Sequence, residues 1–198
     1  MHLNVRVLRC VLALMLCGLL PVGVARAQET FTLDPAQTKI NFNVDSTLHT
    51  VHGDFRLKRG SIQFAGTTGQ AEGELVVDAT SGESGSSGRD KKMHKDILES
   101  PKYSDIVFTP QHIKGTVATE GKSQIEVEGV LTMHGKSQPV TLPLQVELHG
   151  GAGTADGSFT IKYQEWGLKS PSTFFLRVSD KVEIHVHAVG RTGAGASK

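Results

Sequence analysis

The chain has two cysteines in 198 residues, Cys10 and Cys17, and both precede residue 28. The remainder has no disulfide to form and no thiol chemistry to perform, so its stability rests on packing and strand ladders. Long hydrophobic runs are also scarce: the run from Val11 to Leu20 is too short to span a bilayer comfortably as a retained anchor. Excess charge of one sign is missing as well. The formal net charge of +1 becomes −2 once residues 1–27, with Arg6, Arg9 and Arg26 and no acid, are removed. That balance excludes nucleic acid as the expected partner. Catalytic signatures are absent too. Gly82-Glu83-Ser84-Gly85-Ser86 misses the nucleophile-elbow pattern at its last position, and no helix carries two histidines around a glutamate. The expectation is a protein that is not an enzyme and uses no cofactor.

What is present begins with an address. Arg6 and Arg9 precede the apolar run, and Ala25-Arg26-Ala27 supplies the small residues a signal peptidase needs. Residues 1–27 read as a cleaved signal peptide, with Gln28 as the new terminus and a periplasmic or secreted location. Cys17 is not read as a lipidation site, because Met15 and Leu16 are bulkier than the residues that precede a lipidated cysteine. The rest is long enough for one domain with its own core.

From Gln28 onward the dominant period is two. Val140, Leu142, Leu144, Val146 and Leu148 alternate with Thr141, Pro143, Gln145 and Glu147, which makes a strand with one buried face. Similar alternation marks Ile40-Phe42-Val44, Phe55-Leu57, Ile62-Phe64, Leu75-Val77, Ile125-Val127, Phe159-Ile161-Tyr163 and Val182-Ile184-Val186. Connections too short for helical crossovers make about eight strands antiparallel. Pro143 lacks a donor, so its strand is expected to bend or to end a ladder there.

Ser81 to Gly88 reads as a flexible loop by composition, and Arg89 to Ser100 as one short amphipathic helix, with Met93, Ile97 and Leu98 at helical spacing and Pro101 as its stop. Residues 191–198 read as a disordered tail of mostly small residues. The fold class is therefore all-β: an eight-stranded antiparallel barrel with one short α-helix, over residues 28–190.

An eight-strand barrel is either just filled by side chains or just wide enough for one slender ligand. The inward candidates are Phe42, Phe55, Leu57, Phe64, Leu75, Val77, Phe108, Leu142, Leu144, Val146, Phe159, Ile161, Ile184 and Val186. Almost none is polar, so a ligand held there must be apolar over most of its length.

Several segments, in order, resemble the YceI-like family of exported lipocalin-like, polyisoprenoid-binding proteins. They are Leu33-Asp34-Pro35-Ala36-Gln37-Thr38-Lys39-Ile40-Asn41-Phe42, Val51-His52-Gly53-Asp54-Phe55, Val127-Glu128-Gly129-Val130, Leu131-Thr132-Met133-His134-Gly135 followed by Pro139-Val140, and Tyr163-Gln164-Glu165-Trp166-Gly167-Leu168-Lys169 before Val182-Glu183-Ile184. The resemblance covers about Phe31 to Gly190. It implies a barrel around a long hydrophobic tunnel that sequesters or transports an isoprenoid-chain lipid or quinone-like amphiphile, and a role in envelope stress. One departure is Tyr103-Ser104, where the family usually has a proline after the aromatic residue.

Polar residues expected at the tunnel mouth are Arg89, Asp90, Tyr103, Trp166 and Lys169. Tyr and Trp combine an apolar body with one polar tip, which suits the junction of a lipid tail and its head group. Phe174-Phe175-Leu176 can line the tunnel, close it or face another subunit, so a homodimer is one expected partner. A transient membrane contact is another. The rival reading is a divalent-metal-binding envelope protein, because His185 and His187 lie two apart on one strand face.

Overall fold

The computed structural model describes residues 28–65 and 69–194. The expected signal peptide and the last four residues lie outside the described residues. Nine strands occur among them: β1 Glu29–Leu33, β2 Lys39–Ser46, β3 Thr50–Phe64, β4 Ala71–Glu83, β5 Asp105–Lys114, β6 Gly121–Met133, β7 Lys136–His149, β8 Ala152–Lys162 and β9 Val178–Ala194. All pairings between them are antiparallel, and β3–β4 pairing closes the sheet on itself.

The nine strands fill eight positions. β1 and β2 share one slot between β3 and β9: Thr32 opposes Ser61 and Arg191, while Phe42 opposes Gly53 and Ile184. Pro35 breaks the run between them, and the sequence supplies its own splice. Asp34 N–H donates to the Val189 carbonyl at 2.7 Å, and the Thr38 hydroxyl accepts from Val189 N–H at 3.2 Å. The backbone of β9 stays paired across the break, as a closed sheet demands.

This pairing corrects the tail reading for residues 191–194, while 195–198 lie outside the described residues. Arg191 to Ala194 are the last rungs of β9, opposite Thr32 to Glu29. Small side chains carry no packing signal, yet main-chain pairing needs none. The loop reading of Ser81 to Gly88 is corrected in the same way. β4 runs on to Glu83, and Ser81 is buried, its hydroxyl accepting from Arg56 N–H at 2.8 Å.

The helix forms where expected and in two parts. α1 spans Ser87–Lys92 and continues as a π-helical turn over Met93–Ile97. Ile97 and Leu98 pack on the barrel core. His94 ties the segment down: Nε2–H donates to the Gly82 carbonyl at 2.8 Å, and Nδ1 lies 3.0 Å from the Ser100 hydroxyl.

Tight turns set the register. His134 (φ 51°) and Gly135 (φ 73°) form a two-residue hairpin between Met133 and Lys136, whose positive φ values match the twist of the flanking strands. Pro143 does end a ladder. It stays paired to Glu126 on β6, but β7 and β8 pair only from Gln145–Asp156 to His149–Ala152. Towards the β6–β7 hairpin the two strands therefore part company. The 3₁₀ turn Tyr163–Trp166 fills that seam, with Gln138 donating to the Glu165 carbonyl at 3.2 Å.

At the opposite end His149 sits between two carboxylates, 3.1 Å from Glu147 and 2.8 Å from Glu120, and their hydrogen bonds raise its pKa above the ordinary 6.5. The His149 bond in turn lowers Glu120 below 4.5. A raised histidine stabilises the fold fully below its unfolded value and loses that contribution as pH rises through the folded one; a lowered glutamate loses its contribution as pH falls. The cluster is therefore strongest between about pH 4.5 and 6.5. Ring NMR titration of His149 should give a midpoint above 6.5 that falls in Glu147→Gln; an unshifted midpoint in the unaltered protein contradicts this geometry.

Candidate ligand-binding interior

The antiparallel order places the β2–β3 turn, the helical β4–β5 connection, the β6–β7 hairpin and the β8–β9 connection at one end of the barrel. The interior holds two apolar cavities along its axis. The one nearer that end, about 120 Å³, is lined by Phe42, Phe55, Leu57, Leu75, Val77, Phe108, Leu142, Phe159, Ile161, Ile184 and Val186 from the expected set. Phe64, Leu144 and Val146 line the second, about 60 Å³, nearer the other end.

Every inward residue named from the sequence thus borders one cavity or the other. The inward set leaves out Leu33, Ile106, Leu131 and Met133 around the first cavity and Phe31 and Ile113 among those around the second, together with Ile40, Ile62 and Ile125, which stand in the alternating runs without being assigned to the interior. The same period-two signal carries them, as in Ile106-Phe108 and Leu131-Met133. Thr38 also borders the first cavity, but its hydroxyl is held at Val189.

Side chains packed over glycines separate the cavities. A Cβ on Gly60 would lie 3.2 Å from Leu75 and 3.3 Å from Leu33; on Gly129, 2.7 Å from Phe108; on Gly157, 2.7 Å from Leu144. Each large side chain occupies the room that a glycine leaves on another strand. Leu33, Leu75 and Phe108 face the first cavity and Leu144 faces the second, so together they form a partition across the lumen.

The five residues expected at the mouth do not converge on either cavity. Arg89 donates to the Ser84 hydroxyl at 2.7 Å and to its carbonyl at 2.8 Å, while Asp90 accepts from Ser84 N–H and from its hydroxyl. They fasten the lid segment to the end of β4. Tyr103 packs against the ring of His134, tilted by 53° with centroids 4.4 Å apart, and Lys169 points to solvent. Trp166 is 1% exposed and its indole N–H donates to the Leu131 carbonyl at 2.8 Å, so its polar tip is already used. It closes the seam between β7 and β8 rather than greeting a ligand. Phe174 and Phe175 neither line nor close the interior; they project into solvent.

Two buried polar atoms near this end have no hydrogen-bond partner among the described residues, His134 Nε2 and Tyr163 Oη. Glu99 lies 3.6 Å from that His134 nitrogen, too far for a hydrogen bond. The histidines read as metal candidates are otherwise engaged. His187 lies 2.6 Å from Asp156, and His185 3.1 Å from Glu183 and 3.0 Å from Asn43. Among the described residues no group of three or more histidine, cysteine or acidic side chains is placed to hold a metal ion.

A closed antiparallel barrel around an apolar, partitioned lumen defines a lipocalin-like class of protein. Within it, the profile of the YceI-like domain matches residues 31–190, and the chain belongs to that family. The UPF0312 protein of Vibrio parahaemolyticus is 31% identical over 127 residues, a match spanning 62% of this chain and 65% of that protein's own length. A UPF0312 protein of Vibrio cholerae is 27% identical over 197 residues, covering 92% and 97% of the two chains. Among solved structures, Burkholderia cenocepacia BcnA superposes with a TM-score of 0.65 at 24% identity, covering 79% of this chain and 98% of that one. A polyisoprenoid binding domain from Saccharophagus degradans superposes at 0.63 and 18% identity, covering 82% and 98%. At these identities the two structures speak to the fold.

Replacing Trp166 with Phe removes the indole donor and leaves the Leu131 carbonyl buried. Thermal unfolding should show a loss of about 1–3 kcal/mol, with any bound ligand retained. Undiminished stability together with lost ligand would return Trp166 to the binding site.

Proposed function

We propose that this protein is an exported binder that holds a slender isoprenoid-chain lipid or quinone-like amphiphile along the barrel axis. The observation that carries the reading is the pair of apolar cavities aligned in the lumen, lined by inward side chains from strands all around the barrel. The solved relative described as polyisoprenoid-binding shares this fold, which favours the same ligand class. A lining without an ionisable group offers a substrate nothing to react with, so the reading is of binding, not catalysis.

The driving force is burial of the chain, about 0.8 kcal/mol for each methylene removed from water. Neither cavity reaches the roughly 300 Å³ at which ordinary small-molecule pockets begin. A chain therefore enters by displacing lining side chains, and a flexible thioether such as Met133 or a ring such as Phe159 yields more readily than backbone. The partition formed by Leu33, Leu75, Phe108 and Leu144 sets the depth a chain reaches before more of the core must repack. The Tyr163 hydroxyl and His134 Nε2, buried at the lid end without a hydrogen-bond partner among the described residues and just outside the lining of either cavity, are the polar groups we assign to a head group.

Native mass spectrometry of protein purified without detergent, followed by organic extraction, tests the reading. We expect about one prenyl-chain lipid per chain, and Val77→Phe, which fills the larger cavity at a cost of about 1–3 kcal/mol, should lose it while remaining folded. A folded Val77→Phe that retains the lipid in full places the ligand outside the lumen.

A further inference from the structure

The β8–β9 connection carries a feature that lipid storage inside the barrel does not use. Turn tips ordinarily take Gly, Asn, Asp or Ser, because those residues suit the backbone and the solvent. Here the turn Thr173-Phe174-Phe175-Leu176 places two phenylalanines at its apex, 92% and 90% exposed, with their rings edge to face at 5.1 Å. Its base is built to hold them there. Thr173 N–H donates to the Leu176 carbonyl at 2.8 Å, and Leu176 N–H returns to the Thr173 hydroxyl at 3.2 Å. Below it, the Ser172 hydroxyl accepts from Val178 N–H at 2.9 Å.

The tip does not stand alone. Thr47 N–H donates to the Arg177 carbonyl at 2.9 Å, which fastens the β2–β3 turn alongside, and the apex of that turn is Leu48, 77% exposed. These are the only large hydrophobic side chains fully presented to solvent among the described residues, and all three lie at the end of the barrel that holds the larger cavity. The charge around them is cationic. Residues 162–181 carry Lys162, Lys169, Arg177 and Lys181 against Glu165 and Asp180, while the β2–β3 side beside Leu48 adds one carboxylate, Asp45. The lid segment, residues 87–102, adds five cations against three carboxylates at the same end. The chain from Gln28 onward is formally −2, so this end opposes the sign of the whole.

We propose that Phe174, Phe175 and Leu48, ringed by these cations, are a docking tip that seats the lid end of the barrel on an anionic phospholipid bilayer. Aromatic rings settle at the head-group level, apolar tips bury in the acyl boundary, and lysine and arginine beside them meet the lipid phosphates. The proposal deepens the binder reading and rests on it for its purpose. Docking brings the end that holds the larger cavity to the surface where a membrane-dissolved chain is found, so that the chain passes between bilayer and lumen without crossing water.

The test is co-sedimentation of the purified protein with phosphatidylethanolamine–phosphatidylglycerol vesicles and with phosphatidylcholine vesicles, alongside uptake of geranylgeraniol from solution. We expect salt-sensitive binding to the anionic vesicles, weakened roughly tenfold or more in the double variant Phe174→Ser/Phe175→Ser and weakened again in Arg177→Glu. Both changes are at exposed positions, and uptake from solution should stay as it was. Equal binding by the double variant, or equal binding to the uncharged-surface vesicles, overturns the proposal. So does a dimer in sedimentation velocity that the double variant dissolves without any change in vesicle binding, since the tip would then be a self-association surface. Normal vesicle binding with no uptake of geranylgeraniol supports the docking tip and removes the lumen-binding reading.

Discussion

Everything in this fold depends on closing a sheet around a lumen that only side chains fill. Closure leaves no free edge through most of the wall, and it forces every strand to commit one face to the interior. Two places put closure at risk, and the sequence meets each with a specific residue. At the β1–β2 break, the Thr38 hydroxyl stands in for a missing ladder group opposite Val189. At Pro143 the β7–β8 ladder stops, and Trp166 packs into the seam with its indole N–H committed to Leu131. Both repairs are polar contacts made so that an apolar interior can exist.

Inside the wall, size alternation takes over. Glycines at positions 60, 129 and 157 admit Leu33, Leu75, Phe108 and Leu144 towards the axis, which divides the lumen into a larger compartment under the helical lid and a smaller one beyond it. A fully packed barrel would have no room, and a wide one would fill with water. An interior between these limits is one that a chain can enter at the cost of repacking side chains. The elements outside the wall gather at one end: the lid tied by His94, the Glu99–Tyr103–His134 contact and the phenylalanine turn.

Much of this was legible in residue order, because strand periodicity is a local property. Alternation alone located Phe42, Phe159, Ile184 and the other inward residues, and the spacing of Met93, Ile97 and Leu98 located the lid. What could not be read depends on register between strands. Nothing local says that Gly157 will face Leu144, or that Gly190 to Ala194 will find β1 instead of ending the fold. Trp166 and Arg89 misled for a related reason. Their polar tips looked free in the sequence, but a carbonyl 35 residues away and a serine brought close by the lid had already claimed them.

Methyl-resolved NMR of the protein, with and without a soluble prenyl-chain alcohol, tests the central claim most directly. The account expects large shift changes at Ile161, Ile184, Leu142 and Val186, which line the larger cavity, with Leu48 on the outer surface unmoved. Changes confined to surface methyls, with those four silent under saturating ligand, would contradict it.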